Sequence, residues 1–265
     1  MYGFNYQRPA TLDDALKAMA AADDGKFMAG GQTLIPTMKQ RLAQPSDVID
    51  IGGIAELAGI SRDGDNLVIG AMTRHADVAA SKEVKSAIPA LAFLAECIGD
   101  PQVRNRGTLG GSIANADPAA DYPAAVVGLG ATVKTNGRSI AADDFFTGLF
   151  ETALEEDELV TSVSFPVPDK AGYAKFENPA SRYAIVGVMV SASSAGVRVA
   201  VTGAGPSVFR VEAMEKALAD KFAPEAVAGV KVQSDGLNSD IHASAEYRAH
   251  LVTVMAKRAV AAALA

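Results

Sequence analysis

The stretch that most limits what this chain can become is residues 103–121, VRNRGTLGGSIANADPAAD. It joins two glycines to Thr108 and Ser112, sets Arg104 and Arg106 before them, and trails off into small residues and two aspartates. So little side-chain bulk makes a poor core element. Paired glycines instead let backbone N–H groups approach an anion or a ring without a β-carbon in the way. Residues 27–34, FMAGGQTL, repeat the design with Gly30, Gly31 and a hydroxyl at Thr33. Two such flexible segments, far apart in the chain, are what one extended, phosphate-bearing ligand would need. Two ordinary tight turns are the bland alternative in a chain with 24 glycines.

The elements around these segments follow from periodicity and punctuation. Thr11 and Asp14 form a capping box for a helix whose Leu12, Ala15, Leu16 and Met19 share one face, and Asp24-Gly25 ends it. A strand at 26–28 delivers the first glycine segment, and a helix over 34–42 leaves it with Pro36 in its first turn. Amides and helix N-terminus then converge on one place, which suits a diphosphate. A strand at 48–51 precedes a hairpin of 57–61 and 66–71 through Asp63-Gly64. Residues 83–97 are helical, kinked or split at Pro89. After the second glycine segment come a helix over 123–129, a hairpin turning at Asn136-Gly137, a short aromatic segment over 143–149 and a strand over 158–165.

Beyond Pro166 and Pro168 the character changes. Strands at 173–176, 184–192 and 197–202 read as antiparallel, followed by helices over 208–218 and 224–228. A long C-terminal helix over 242–265 carries Tyr247, Leu251, Val254, Met255 and Ala259 as its apolar stripe. The main boundary falls at 166–172 and a softer one at 52–56.

The 265 residues suffice for two or three packed units. A net charge of -7 argues against nucleic acid as a partner. The single cysteine, Cys97, sits in an apolar run as a structural thiol; alone it builds neither a disulfide nor an iron–sulfur or zinc site. The three histidines lack metal-ligand spacing. No secretory leader or long apolar run is apparent, so a soluble, cytoplasmic chain is expected. The nucleotide signatures G-x-G-x-x-G at the chain start and G-x-x-x-x-G-K-[ST] are missing, which disfavours a Rossmann domain and a P-loop ATPase.

Taken together, AGGQTL (29–34), the 103–121 stretch, Lys175-Phe176, SRYAIVGV (181–188) and DIHASAEYRAHL (240–251) resemble the medium, FAD-binding subunit of molybdenum hydroxylases. That family includes aerobic carbon monoxide dehydrogenase and the bacterial relatives of xanthine dehydrogenase, and the likeness runs from Phe4 to Ala261. It implies an α+β fold. An FAD-binding PCMH-type (vanillyl-alcohol-oxidase-like) region over 1–168 has two α/β subdomains, about 1–54 and 55–168. A C-terminal domain of antiparallel sheet and helices covers 169–265. It further implies non-covalent FAD on this chain, with molybdopterin on a large partner subunit and [2Fe–2S] clusters on a small one. The assembly would be a dimer of heterotrimers that passes electrons through FAD to NAD, a quinone or another acceptor. A stand-alone FAD-dependent reductase on the same scaffold and a cofactor-free assembly protein are the rival readings.

Carried over residue by residue, the resemblance sets Ala29, Gly30, Gly31, Gln32, Thr33 and Leu34 around the FAD diphosphate and ribityl region. Thr108, Leu109, Gly110, Gly111 and Ser112 would cross the same diphosphate, with N–H and hydroxyl donors neutralising it. Asn115 and Asp117 would reach the ribityl chain or flavin edge. Asp121 would accept from ribose or ribityl hydroxyls, unless it caps the helix after it. Leu159 would line the adenine pocket through its backbone, Lys175 would stand near the diphosphate or flavin, and Tyr183 would lie beside the isoalloxazine. Plain core, solvated strand and sheet packing are their respective alternatives. Arg104, Arg106 and His75 stay outside this set; the histidine is either an adenosine contact or a surface residue. Residues 244–248 brace domains, with Glu246 and Arg248 each needing a partner elsewhere. No catalytic or metal-binding residue is assigned.

Overall fold

The chain, seen in a computed structural model that describes residues 1–265, opens with a small parallel sheet. Strands β1 (Asn5–Gln7), β2 (Gly25–Met28) and β3 (Asp47–Asp50) lie in the order β1-β3-β2. Parallel neighbours need a crossover, and helices α1 (Leu12–Ala20) and α2 (Leu34–Lys39) supply the connections. The Thr11 hydroxyl accepts from the Asp14 N–H at 3.2 Å, so Thr11 caps the helix, but the Asp14 carboxylate pairs with Lys17 and does not complete the capping box. Helix α2 stops short of residue 42 because Arg41 turns to a positive φ of 62°. Ala15, Ile49, Ile51, Ile54 and Leu57 form this unit's core together with Leu159 from much later in the chain.

The second unit is a five-stranded antiparallel sheet with helices on it. Its hairpin β4 (Ile60–Asp63) and β5 (Asn66–Gly70) is followed by α3 (His75–Ala80), α4 (Lys82–Ala87), α5 (Pro89–Glu96), α6 (Pro101–Arg104), α7 (Leu109–Asn115) and α8 (Tyr122–Gly128). A second hairpin, β6 (Thr132–Thr135) and β7 (Ser139–Ala141), leads through α9 (Ala142–Phe145), β8 (Phe146–Gly148) and β9 (Glu151–Thr152) to β10 (Val160–Pro166). The strand order β4-β5-β10-β6-β7 puts β10 at the centre. Leu57, expected in a strand, lies instead in a buried 3-10 turn over Ala55–Leu57. Pro89 splits the helical stretch: it opens α5 at a position where its missing N–H costs nothing.

The third unit is an antiparallel sheet of β11 (Lys170–Glu177), β12 (Ala184–Ser193), β13 (Gly196–Thr202) and β14 (Phe209–Arg210), in that order. Helices α10 (Glu212–Asp220), α11 (Pro224–Val227) and α12 (Ala245–Leu264) complete it. Residues 184–191 are all buried because α8 packs on β12 from the second unit and α12 covers the sheet as well. That explains the unbroken apolar run, where a half-solvated strand would alternate. Three expectations need correction. Phe209 and Arg210 pair with Val201 and Ala200 as a strand, so the helix expected from 208 starts at Glu212. Helix α12 starts at Ala245 because Ser244 caps it through the Tyr247 N–H. On α12, Leu251, Met255 and Ala259 do face inward, but with Arg248, Val252, Ala256 and Val260, while Tyr247 is exposed. No helix is long and apolar enough to cross a membrane.

Candidate functional site

The first glycine segment leaves β2 and runs straight into α2. From Gly30 to Leu34 its backbone N–H groups donate to no acceptor within the protein. Gly31 takes a φ of 69°, which aims this turn. Thr33 occupies the N-cap of α2 without a side-chain cap bond. Gly30 sits where the two segments meet: a β-carbon there would fall 2.1 Å from the Arg106 carbonyl oxygen.

The second segment corrects the flexible-loop reading. Residues 107–110 run against 71–75, where His75 N–H donates to the Gly107 carbonyl at 3.0 Å, Leu109 N–H to Thr73 at 3.1 Å and Gly110 N–H to Ala71 at 2.8 Å. Thr108 then caps α7, its hydroxyl accepting from Gly111 N–H at 3.1 Å, and Ser112 N–H goes to the Thr108 carbonyl. All four amides are used internally. Gly110 is there for packing, since a β-carbon would lie 2.5 Å from that of Ala71.

Between the segments lies a cavity of about 780 Å³ lined from all three units. Of the residues named from the sequence, Ala29, Gly30, Gly31, Gln32, Thr33, Leu34, Thr108, Gly110, Gly111, Ser112, Asn115, Asp117, Asp121, Leu159 and Tyr183 all line it. Leu109 and Lys175 do not. Leu109 is an apolar residue turned into the core. Lys175 is buried too: its ammonium pairs with Asp121 at 3.0 Å and donates to the Cys97 carbonyl at 3.0 Å. That corrects the solvated-strand alternative as well.

Asp121 makes no cap bond to α8; its other oxygen accepts from the Tyr173 hydroxyl at 2.5 Å. Burial raises the Asp121 pKa, and Lys175 and Tyr173 oppose that rise. Leu159 has its backbone N–H on the Asn136 side-chain oxygen and its carbonyl on the Asn136 N–H, so it offers the cavity mainly its side chain. Tyr183 is half exposed, and its phenol pKa is raised by burial and then by Asp117. Burial pushes the Cys97 thiol up to about 11, which leaves it an inert neighbour of the site.

His75 is the main correction to the surface alternative. It is buried at the cavity wall, its Nδ1 has no partner, and burial, helped by Arg104, brings its pKa down to about 4. It therefore presents a neutral imidazole, with its ring 5.4 Å from that of Tyr122. Of the two arginines, Arg104 takes a structural place, donating to the Ile98 and Gly99 carbonyls at the cavity edge, while Arg106 is exposed and does not line the cavity. Sequence reasoning missed Ile98, Gly99, Asp100, Glu158 and Arg182 as lining residues. The one signal available was Asp100-Pro101, a helix start, and Asp100 does cap α6 through the Val103 N–H.

The arrangement fits a dinucleotide with a diphosphate at its middle. It offers a row of unpaired amides at a helix start, a facing wall of small residues, and a space lined from all three units that reaches a tyrosine on the third. Comparison with known proteins points the same way. The family described as the FAD binding domain in molybdopterin dehydrogenase matches residues 2–168, and the CO dehydrogenase flavoprotein C-terminal domain matches 171–263. The nicotine 6-hydroxylase medium subunit of Paenarthrobacter nicotinovorans is 38% identical, over 96% of this chain and 95% of that one. The carbon monoxide dehydrogenase medium chain of Hydrogenophaga pseudoflava is 36% identical, over 99% and 97%. A solved structure of carbon monoxide dehydrogenase from the same organism superposes with a TM-score of 0.90 at 37% identity, covering 99% of this chain and 98% of that one. The chain belongs to the FAD-binding medium subunits of the molybdenum-containing dehydrogenases and hydroxylases, a family of oxidoreductase flavoproteins.

Proposed function

We propose that this chain holds FAD non-covalently and relays electrons from [2Fe–2S] clusters on a small partner subunit to an external acceptor such as NAD or a quinone. A large molybdopterin-bearing subunit oxidises the substrate, and the assembly is a dimer of heterotrimers. Residues 1–168 form the FAD-binding domain and 169–265 the C-terminal domain. The observation that carries the reading is the row of unpaired amides from Gly30 to Leu34, lining one cavity with the small residues Thr108, Gly110, Gly111 and Ser112.

In this reading the Gly30–Leu34 amides and the Thr33 hydroxyl hold the diphosphate, and Gly111 and Ser112 close over it without adding charge. Asn115 and Asp117 meet the ribityl chain. Asp121, fixed by Lys175 and Tyr173, meets it from the floor. Leu159 packs on the adenine, and Tyr183 covers the ring. Bound FAD supplies the exchange between one-electron donors and a two-electron acceptor. The residues themselves bind, orient and limit solvent. No general acid or base is needed, and the cavity's histidine is held neutral by burial.

The test uses the complex purified from its host. With its clusters reduced by dithionite, mixing with NAD or a quinone should reoxidise them rapidly, and stripping the flavin should abolish that step while the clusters remain reducible. Reoxidation at an unchanged rate without flavin would refute the relay. Purification of the flavin-loaded chain free of any iron-containing partner would refute the assembly.

A further inference from the structure

The segment 240–251, DIHASAEYRAHL, makes none of the cavity wall, yet its polar side chains reach toward it. The cavity's third-unit wall is the turn between β11 and β12, which carries Ala180, Ser181, Arg182 and Tyr183. Asn178 organises that turn. Its side-chain oxygen accepts from the N–H groups of Ala180 and Ser181 at 2.9 and 3.2 Å. Its backbone N–H donates to the Tyr183 carbonyl at 2.8 Å, and its carbonyl accepts from Arg182 N–H. Arg182 is held at a φ of 61°, a conformation a side-chain-bearing residue adopts only when its surroundings impose it.

The 240–248 segment holds the residues on either side of the turn. At the entry, the side-chain amide of Asn178 and Nδ1 of His242 lie 3.2 Å apart in a hydrogen bond. At the exit, the buried Arg248 guanidinium donates to the Ile185 carbonyl at 2.7 Å and to the Gly203 carbonyl at 2.9 Å. Asp240 ties the two together: one carboxylate oxygen accepts from the N–H groups of His242 and Ala243, and the other from Arg248 at 2.7 Å. Asp240, His242 and Arg248 are thus one connected network; one free end lands on Asn178 at the entry of the turn and the other on Ile185 in β12, two residues past Tyr183.

We propose that Asp240, His242 and Arg248 are positioning residues that set where Tyr183 stands over the cavity, His242 acting through Asn178 and Arg248 through Ile185. This rests on the reading of Tyr183 as the residue covering the flavin, but the placement of the turn itself does not require the flavin. Because His242 is exposed, replacing it leaves the core intact. Loss of one hydrogen bond of ordinary net strength shifts a docked-to-undocked equilibrium about fivefold.

The chain has no tryptophan, so Tyr183→Trp gives a single fluorescent reporter in the full-length protein. In that background without flavin, His242→Ala should red-shift the emission and raise acrylamide quenching. His242→Asn, which keeps an acceptor near the Nδ1 position, should restore both. With FAD bound, His242→Ala should weaken quenching of the reporter by the flavin while flavin content stays unchanged. Identical spectra for His242→Ala and the unaltered reporter, or equal shifts for the Ala and Asn variants, would overturn the proposal. Failure of the reporter protein to retain FAD would count against the flavin reading alone, because the flavin-free comparison reads the turn directly.

Discussion

The two glycine segments look alike as text and do opposite work. Around Gly30 and Gly31 the backbone is open, its N–H groups are unspent and the chain turns on a positive φ. Around Gly110 and Gly111 the backbone is half strand and half helix, and every amide is spent on Ala71, Thr73 or Thr108. The first segment leaves donors facing the cavity. The second offers absence of bulk, and its anchorage is what keeps the wall in place. A glycine pair therefore identifies a place of close approach, and the fate of its neighbouring amides decides what approaches.

The sharpest way to break the comparison is to free the second segment's tail. Lys175→Met strands the Asp121 carboxylate in the protein interior and should cost about 3–5 kcal/mol, read as a lowered urea midpoint at neutral pH. An unchanged midpoint would mean that the pair does not anchor this wall. Next comes Gly30→Ala, whose methyl collides with the Arg106 backbone and pushes the segments apart. About 3 kcal/mol of stability should go, and bound flavin with it, measured by thermal unfolding and flavin absorbance.

His75 tests the floor beneath the second segment. It ionises near 6.5 when unfolded and about 4 when folded, so between those values the unfolded chain binds more protons. Its contribution is complete above pH 6.5 and falls by about 3 kcal/mol as the pH drops to 4. His75→Gln should flatten that part of a urea-midpoint profile against pH; an unaltered slope would show that another group titrates there.

Smaller effects separate the segments' tasks. Gly110→Ala should lower the unfolding midpoint by about 2 kcal/mol while the protein that remains folded keeps its flavin affinity, since the lost quality is packing. Gly31→Ala should cost only about 1 kcal/mol of stability but disproportionately weaken flavin binding, because it strains the turn that aims the free amides. Equal ratios of stability loss to affinity loss in these two variants would erase the distinction.

Much of the architecture was legible because it is written in local signals. The Thr11 cap, the Asp63-Gly64 and Asn136-Gly137 hairpins, the break at Pro89 and the change of character after Pro168 each need only a few neighbouring residues to act. The candidate site was legible in a weaker sense: the glycine pairs and Asp121, singled out by residue type, line one cavity. Lys175 shows the limit, because a strand lysine gives no hint that Asp121 and the Cys97 carbonyl will enclose it.

By itself the sequence determined the elements and the small-residue stretches where a ligand can come close, since capping, turn chemistry and the lack of a β-carbon are properties of short segments. Only the tertiary structure decided which amides remain free, why His75 is neutral and where Arg248 of the last helix ends, at the Ile185 and Gly203 carbonyls. Those depend on burial and on partners tens of residues away, and desolvation is set by everything packed around a group, whatever its neighbours in the chain.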